Sequence, residues 1–151
     1  MSTPWLVRVG AVGWQHPAWR DAFYPADLPD DWLLSYYNTQ YRAVYLPAAA
    51  WQAVPAATWS QWLHDTREDF HFVLEPGDPA IAPPLSDRVQ QADPAWAAAH
   101  LWWLDDAPDL RALAQRIDRH AARGEPLYVI SRSGNLAAME AADTLRQVMG
   151  Y

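Results

Sequence analysis

Five histidines, His16, His64, His71, His100 and His120, are the first places to look for metal or base chemistry. No two of them stand as HxH or HxxxH, and the count of cysteines is 0. A zinc set could therefore form only by convergence of distant segments, and none is expected. His16 stands apart because it lies on a loop that follows an apolar run. Among the acids, Glu75, Asp78, Asp105 and Asp106 each follow such a run. Two carboxylates flanking a sugar would suit acid–base hydrolysis of a glycoside, but Asp105-Asp106 is also accounted for by capping of the next helix. Arg132 closes another apolar run and could grip a carboxylate or phosphate with two prongs. Ser131 and Ser133 belong to no Gly-x-Ser-x-Gly elbow and have no base beside them. Gly10-Ala11-Val12-Gly13 lacks the third glycine and the lysine of a phosphate loop, and reads as a tight turn.

The basic residues narrow the chemistry further. All 11 are arginine, which excludes Schiff bases and a lysine general base. The net charge of −7 repels a phosphate backbone at long range, so no nucleic-acid partner is expected. No apolar run approaches the roughly 18 residues of a membrane span, and no basic–apolar leader opens the chain. A cytoplasmic protein without cofactor is the expectation. Ten tryptophans remain the hardest feature to dismiss. Trp59 and Trp62 share a helical face and read as core. Trp14, Trp19, Trp51 and the Trp102–Trp103 pair are placed on or near a cleft, where indoles stack on ligands or anchor interfaces.

The elements that would position these groups alternate. Apolar runs predict strands over Leu6–Val12, Ala43–Leu46, Phe70–Leu74, Ala98–Leu104 and Pro126–Ile130. Helices are predicted from an Asp30 cap to about Asn38, over Ala56–Asp65, from Asp105-Asp106 to Gly124, and over Asn135–Met149. Residues 76–97 hold Pro76, Pro79, Pro83, Pro84 and Pro94 and predict a bridging loop, with a short helix near Ser86–Gln91. Strand–helix alternation implies a single α/β domain over residues 1–151, with a mainly parallel five-stranded sheet.

The opening strand and its aromatic loop, Gly10, Gly13, Trp14, Trp19, Arg20, Phe23, Tyr24 and Pro25, with Trp32, Tyr36 and Tyr37 behind them, resemble the YecE-like family (domain of unknown function 72). Leu110 to Gly150 is similar to that family's closing helix, strand and helix. The resemblance implies a TIM-barrel-like fold. Since a complete barrel needs about 250 residues, it also implies an internally shortened, partial barrel. The retained strands would then be contiguous, in the order third, second, first, last, penultimate. One apolar face of such an open sheet would be exposed, which predicts a homodimer formed through it unless the proline-rich loop and the tryptophans cover it.

Departures from the family weigh against catalysis. Its threonine and serine between the first glycines are Ala11 and Val12 here. Its acid and amide after the second strand are missing from Tyr45-Leu46-Pro47-Ala48-Ala49-Ala50-Trp51. Its paired asparagines after the last strand are Arg132 and Ser133, and a lysine near the third strand is Leu74 or Glu75. The expectation is a non-catalytic binding or assembly module for a small molecule or partner, with a residual pocket drawn from Trp14, His16, Trp19, Arg20, Tyr24, Tyr45, Glu75 and Arg132. The alternative is a small hydrolase of a sugar or phosphoester, with Glu75 or Asp105 as base and Arg132 on the anion.

Overall fold

The structure, a computed structural model, describes residues 6–151; the first five residues of the predicted domain lie outside the described residues. Near-continuous apolar runs become parallel strands buried on both faces. They are β1 (Val7–Val12), β2 (Ala43–Leu46), β3 (His71–Leu74), β4 (Val89–Gln91), β5 (Leu101–Leu104) and β6 (Leu127–Ser131). All pairings are parallel, in the order β4-β3-β2-β1-β6-β5. The predicted order of five is present, and the sheet has six strands, not five. The sixth, β4, falls inside the predicted bridging loop at the place where a short helix was expected. It is three residues long, and Val-Gln-Gln carries almost no apolar signal.

The helices are α1 (Leu33–Gln40), α2 (Ala48–Trp51), α3 (Ala56–Asp65), α4 (Pro94–His100), α5 (Leu110–Arg123) and α6 (Leu136–Met149). Three helix boundaries differ from expectation. Asp30 does not cap α1 but opens a separate 3-10 turn, Asp30–Trp32, and its carboxylate pairs with Arg20 instead. The cap of α5 is Asp109, whose carboxylate accepts from the Ala112 N–H at 3.0 Å, so Asp105-Asp106 stand free of that role. The predicted strand over Ala98–Leu104 is helical as far as His100, because an alanine-rich run is a good helix former, and extended only from Leu101. Gly124 ends α5, as expected, and Asn135, placed at the start of the last helix, is the cap of α6.

Side chains of α1, α3, α5 and α6 pack on one face of the sheet, around Val7, Val9, Val44, Phe72, Leu74 and Val129. The other face carries Ala43, Tyr45, Val73, Leu101, Tyr128 and Ile130. It is not left open. Helix α4 links the two sheet edges, running from β4 directly into β5, and Trp96 and Ala97 pack on this face with Trp103. Tyr45 is 8% exposed and Ile130 fully buried. The exposed sheet face on which a homodimer was predicted is therefore closed within one chain.

One close approach holds the centre of the sheet. The Tyr37 hydroxyl, from α1, enters the β1–β2 ladder, accepting from the Ala11 N–H at 2.9 Å and donating to the Ala43 carbonyl at 2.6 Å. Burial raises its pKa well above the usual phenol value, so it remains a donor. Gly10 lies directly against this bridge, where a Cβ would meet the Ala43 carbonyl oxygen at 1.9 Å.

Candidate functional site

The eight predicted site residues separate into two groups. Trp14, His16, Trp19, Arg20 and Tyr24 follow β1, whereas Tyr45, Glu75 and Arg132 stand at or just after the ends of β2, β3 and β6.

Most of the first group holds the loop itself together. The Trp19 indole N–H donates to the Gly134 carbonyl at 2.7 Å, and its ring stacks on Tyr37 with centroids 5.9 Å apart. Tyr24 donates its hydroxyl to the Trp14 carbonyl at 2.6 Å, and burial raises its phenol pKa. Arg20 donates to the Leu28 carbonyl at 2.8 Å and pairs with Asp30 at 2.5 Å. His16 Nε2 donates to the Val12 carbonyl at 2.7 Å, and its ring lies 4.4 Å from that of Trp19. Gly134, at φ +70°, backs the same ring; a Cβ there would stand 2.7 Å from His16 Nδ1. His16 is thus held by the Val12 carbonyl and packed between the Trp19 ring and Gly134.

In the second group, Tyr45 stands edge-on to Trp103 at 5.0 Å, and the Arg132 guanidinium lies 3.5 Å over the Trp103 ring. Burial raises the Tyr45 pKa, with Glu75 adding to the rise and Arg132 opposing it, so these three groups share one rim. Each is already engaged. The Glu75 carboxylate accepts from the Ala48 N–H at 3.0 Å, at the start of α2. Asp106, beside Asp105, accepts from the Ser133 hydroxyl.

The open space lies elsewhere. A cavity of about 550 Å³ sits at the C-terminal ends of β1 and β2, walled by Trp14, His16, Leu46, Ala50, Val54 and Trp62. Beyond it a groove of about 1000 Å³ runs between α1 and α3, bounded by Trp32, Tyr36, Asp31 and Asp65. Trp14, Gln15 and Trp62 line both, so the two adjoin across these residues and are termed the two chambers of one cleft. Of the predicted residues only Trp14 and His16 line the cavity, and none of Glu75, Asp105 and Arg132 lines either space. Sequence reasoning missed Gln15 and Trp62. Trp62 shares a helical face with Trp59, but Trp59 is buried while Trp62 is half-buried and turned to the cleft, edge-on to Trp14 at 5.0 Å.

Two histidine clusters also went unforeseen. His100, His120 and Glu125 bring one donor atom each within 4.8 Å of one another. His120, however, is satisfied without an ion. Its Nδ1 faces the carbonyls of Glu125 and Pro126, and the Arg116 Nε–H donates to its Nε2 at 2.9 Å. Arg116 also donates to the Ala98 and Ala99 carbonyls, both at 3.2 Å, so a guanidinium already fills the cationic position. Burial, reinforced by Arg116, lowers the His120 pKa. On the α4-covered face, the Tyr128 hydroxyl donates to His71 Nδ1 at 2.9 Å, with Arg8 5.6 Å over the Tyr128 ring.

Burial, with Arg8 adding to it, lowers the His71 pKa to about 4. Its folded pKa lies below the ordinary 6.5, so the unfolded chain binds the proton first. Stability is full above pH 6.5 and falls as the pH drops toward 4. The expected loss attributable to His71 is on the order of 2–3 kcal/mol. Urea unfolding near neutrality and near the lower pKa, on the parent and on His71→Gln, measures it; equal losses in both proteins would refute it.

Among the described residues no helix is long and apolar enough to cross a membrane. Compared with known proteins, residues 8–76 match the model of a family described as "Protein of unknown function DUF72". This part of the chain is similar to DUF72. A crystal structure of a DUF72 family protein from Thermotoga maritima MSB8 is similar to this chain with a TM-score of 0.61 and 13% identity, covering 97% of this chain and 100% of that one. At that identity the likeness speaks for the fold alone, and it extends the DUF72 architecture beyond the matched segment. No curated protein matches the chain. The matched segment ends at Pro76. It therefore contains β1 from Arg8 onward, β2, β3 and every cleft-lining residue named above, while β4 to β6 lie outside it.

Proposed function

We propose that this chain is a non-catalytic binding module, a single DUF72-type domain with fewer strands than a closed eight-stranded barrel, which holds a small molecule in the cleft lined by Trp14, Gln15 and Trp62. The observation that carries this reading is an apolar cavity at the strand ends adjoining an aromatic groove, with Trp14, Gln15 and Trp62 common to both. Pockets at the C-terminal ends of parallel strands are where such folds hold ligands. The hydrolase alternative needs a free carboxylate and a free guanidinium facing one open space. Glu75 is engaged by the Ala48 N–H and Arg132 by the Trp103 ring. A dimer through the sheet face draws no support either, since α4 covers that face.

Ala50→Trp provides the test, because Ala50 is exposed and lines the cavity, so an indole there fills the space without disturbing the core. Small fragments are screened by the shifts of the tryptophan indole N–H signals, and hits are titrated against parent and variant. The expected result is shifts at Trp14 and Trp62 and affinity at least about tenfold weaker in Ala50→Trp, the loss of roughly 1.4 kcal/mol of contact. Hits that move only Trp103, or that bind the variant equally well, would refute the cleft. Turnover of a hit would refute the non-catalytic reading.

A further inference from the structure

The two chambers of the cleft differ in kind. The inner cavity has no charged lining residue; its polar side chains are Gln15 and His16, and His16 is already held by the Val12 carbonyl. The outer groove has three charged lining residues, Asp30, Asp31 and Asp65, all carboxylates, set among the rings of Trp32, Tyr36 and Trp62. Their compensation is partial. Asp30 is paired with Arg20, and Asp65 accepts from the Gln61 amide at 2.6 Å. Asp31 makes no hydrogen bond or ion pair with the described residues. Trp32, beside it, is 65% exposed, the indole most open to solvent among the large exposed apolar side chains.

We propose, building on the binding reading above, that the ligand is a small organic ammonium ion with an apolar body. The body fills the inner cavity against Trp14 and Trp62, and the ammonium lies in the outer groove between Asp31, Asp65 and the Trp32 ring. Aromatic faces attract cations through the ring quadrupole, and carboxylates with no lining cation to offset them set the sign of the field. An anionic ligand would meet like charge on entering. A neutral sugar would find stacking surfaces but would leave the carboxylates unused.

A matched series separates these classes: phenethylamine as the cation, 2-phenylethanol as the neutral body, phenylacetate as the anion, and maltose as the neutral sugar. Each is titrated at neutral pH while the indole N–H signals are followed. Phenethylamine is expected to move the signals of Trp14, Trp62 and Trp32, and to bind roughly tenfold more tightly than 2-phenylethanol. Its affinity should fall several-fold between low salt and about 0.5 M salt, and fall to that of the alcohol in the Asp31→Asn/Asp65→Asn double variant. Asp31 is exposed and Asp65 half-buried at the helix end, so the variant keeps its core. Equal or tighter binding of 2-phenylethanol or maltose at Trp14 and Trp62 would overturn the ammonium assignment and leave the cleft standing as a binding site. Phenylacetate as the tightest ligand would overturn it likewise. Shifts confined to Trp103 would overturn both readings, and silence from all four probes at about 20 mM, beyond the affinity expected of fragments this size, would overturn the assignment.

Discussion

Alanine at position 10 is expected to deprive the chain of a cooperative native state. A Cβ on Gly10 would lie 1.9 Å from the Ala43 carbonyl oxygen, 2.7 Å from its carbon and 2.8 Å from the Tyr37 hydroxyl. The first two are backbone atoms of the paired strand, so no rotamer change relieves the clash; β1 and β2 must separate and break the Tyr37 bridge. The expected cost exceeds about 4 kcal/mol, in the range where small domains unfold. Tyr37→Phe is the comparison. It removes the hydroxyl alone, leaving the Ala11 N–H and the Ala43 carbonyl without the partners they have now. That variant should remain folded with about 2–4 kcal/mol less stability. Near-ultraviolet circular dichroism and thermal unfolding distinguish the outcomes, and a Gly10→Ala protein that melts within a few degrees of the parent would refute the close approach.

The second large effect belongs to Trp19, which is 1% exposed and touches His16, Phe23, Tyr24 and Tyr37. Trp19→Ala is expected to cost about 3–5 kcal/mol, the range for deleting a buried large aromatic side chain. Trp19→Phe keeps much of the ring packing but removes the donor to the Gly134 carbonyl, for an expected loss of about 1–3 kcal/mol. Both variants should also disturb the cleft. His16 rests on the Trp19 ring and lines the inner cavity. The Trp14 indole signal should therefore broaden before the protein unfolds. Urea unfolding gives the stability, and a loss under about 1 kcal/mol for Trp19→Ala would show that this loop is not held by its indole.

Strand order was the most legible part of this molecule, and the reason is geometric. Long apolar runs such as Leu127–Ser131 announce buried parallel strands, and the family resemblance supplied their sequence of neighbours. β4 escaped because a three-residue edge strand with two glutamines needs only its backbone to pair. α4 was misread because its alanine-rich run passes without a break into the apolar run of β5, and no residue marks the boundary at Leu101. For the site, residue type indicated which side chains were unusual but not where their hydrogen bonds would go. Trp19, Arg20 and Tyr24 looked like a ligand surface and are instead bonded to the Gly134, Leu28 and Trp14 carbonyls. Gln15, an ordinary amide, gave no signal at all, although it lines three adjoining spaces.

The pairing of β1 with β6 has a consequence for how the chain comes into being. Val7 through Ala11 align with Leu127 through Ser131, so this pair joins the first and the last of the described strands in chain order. While the ribosome is still making the segment between them, β3, β2 and β1 can assemble, but one side of β1 has no neighbour. That side is an open template for strand pairing between nascent chains. Closing so long a loop is also slow by contact-order reasoning. Recovery of the native sheet is therefore expected to depend on how long this edge of β1 stays unpaired before β6 reaches it.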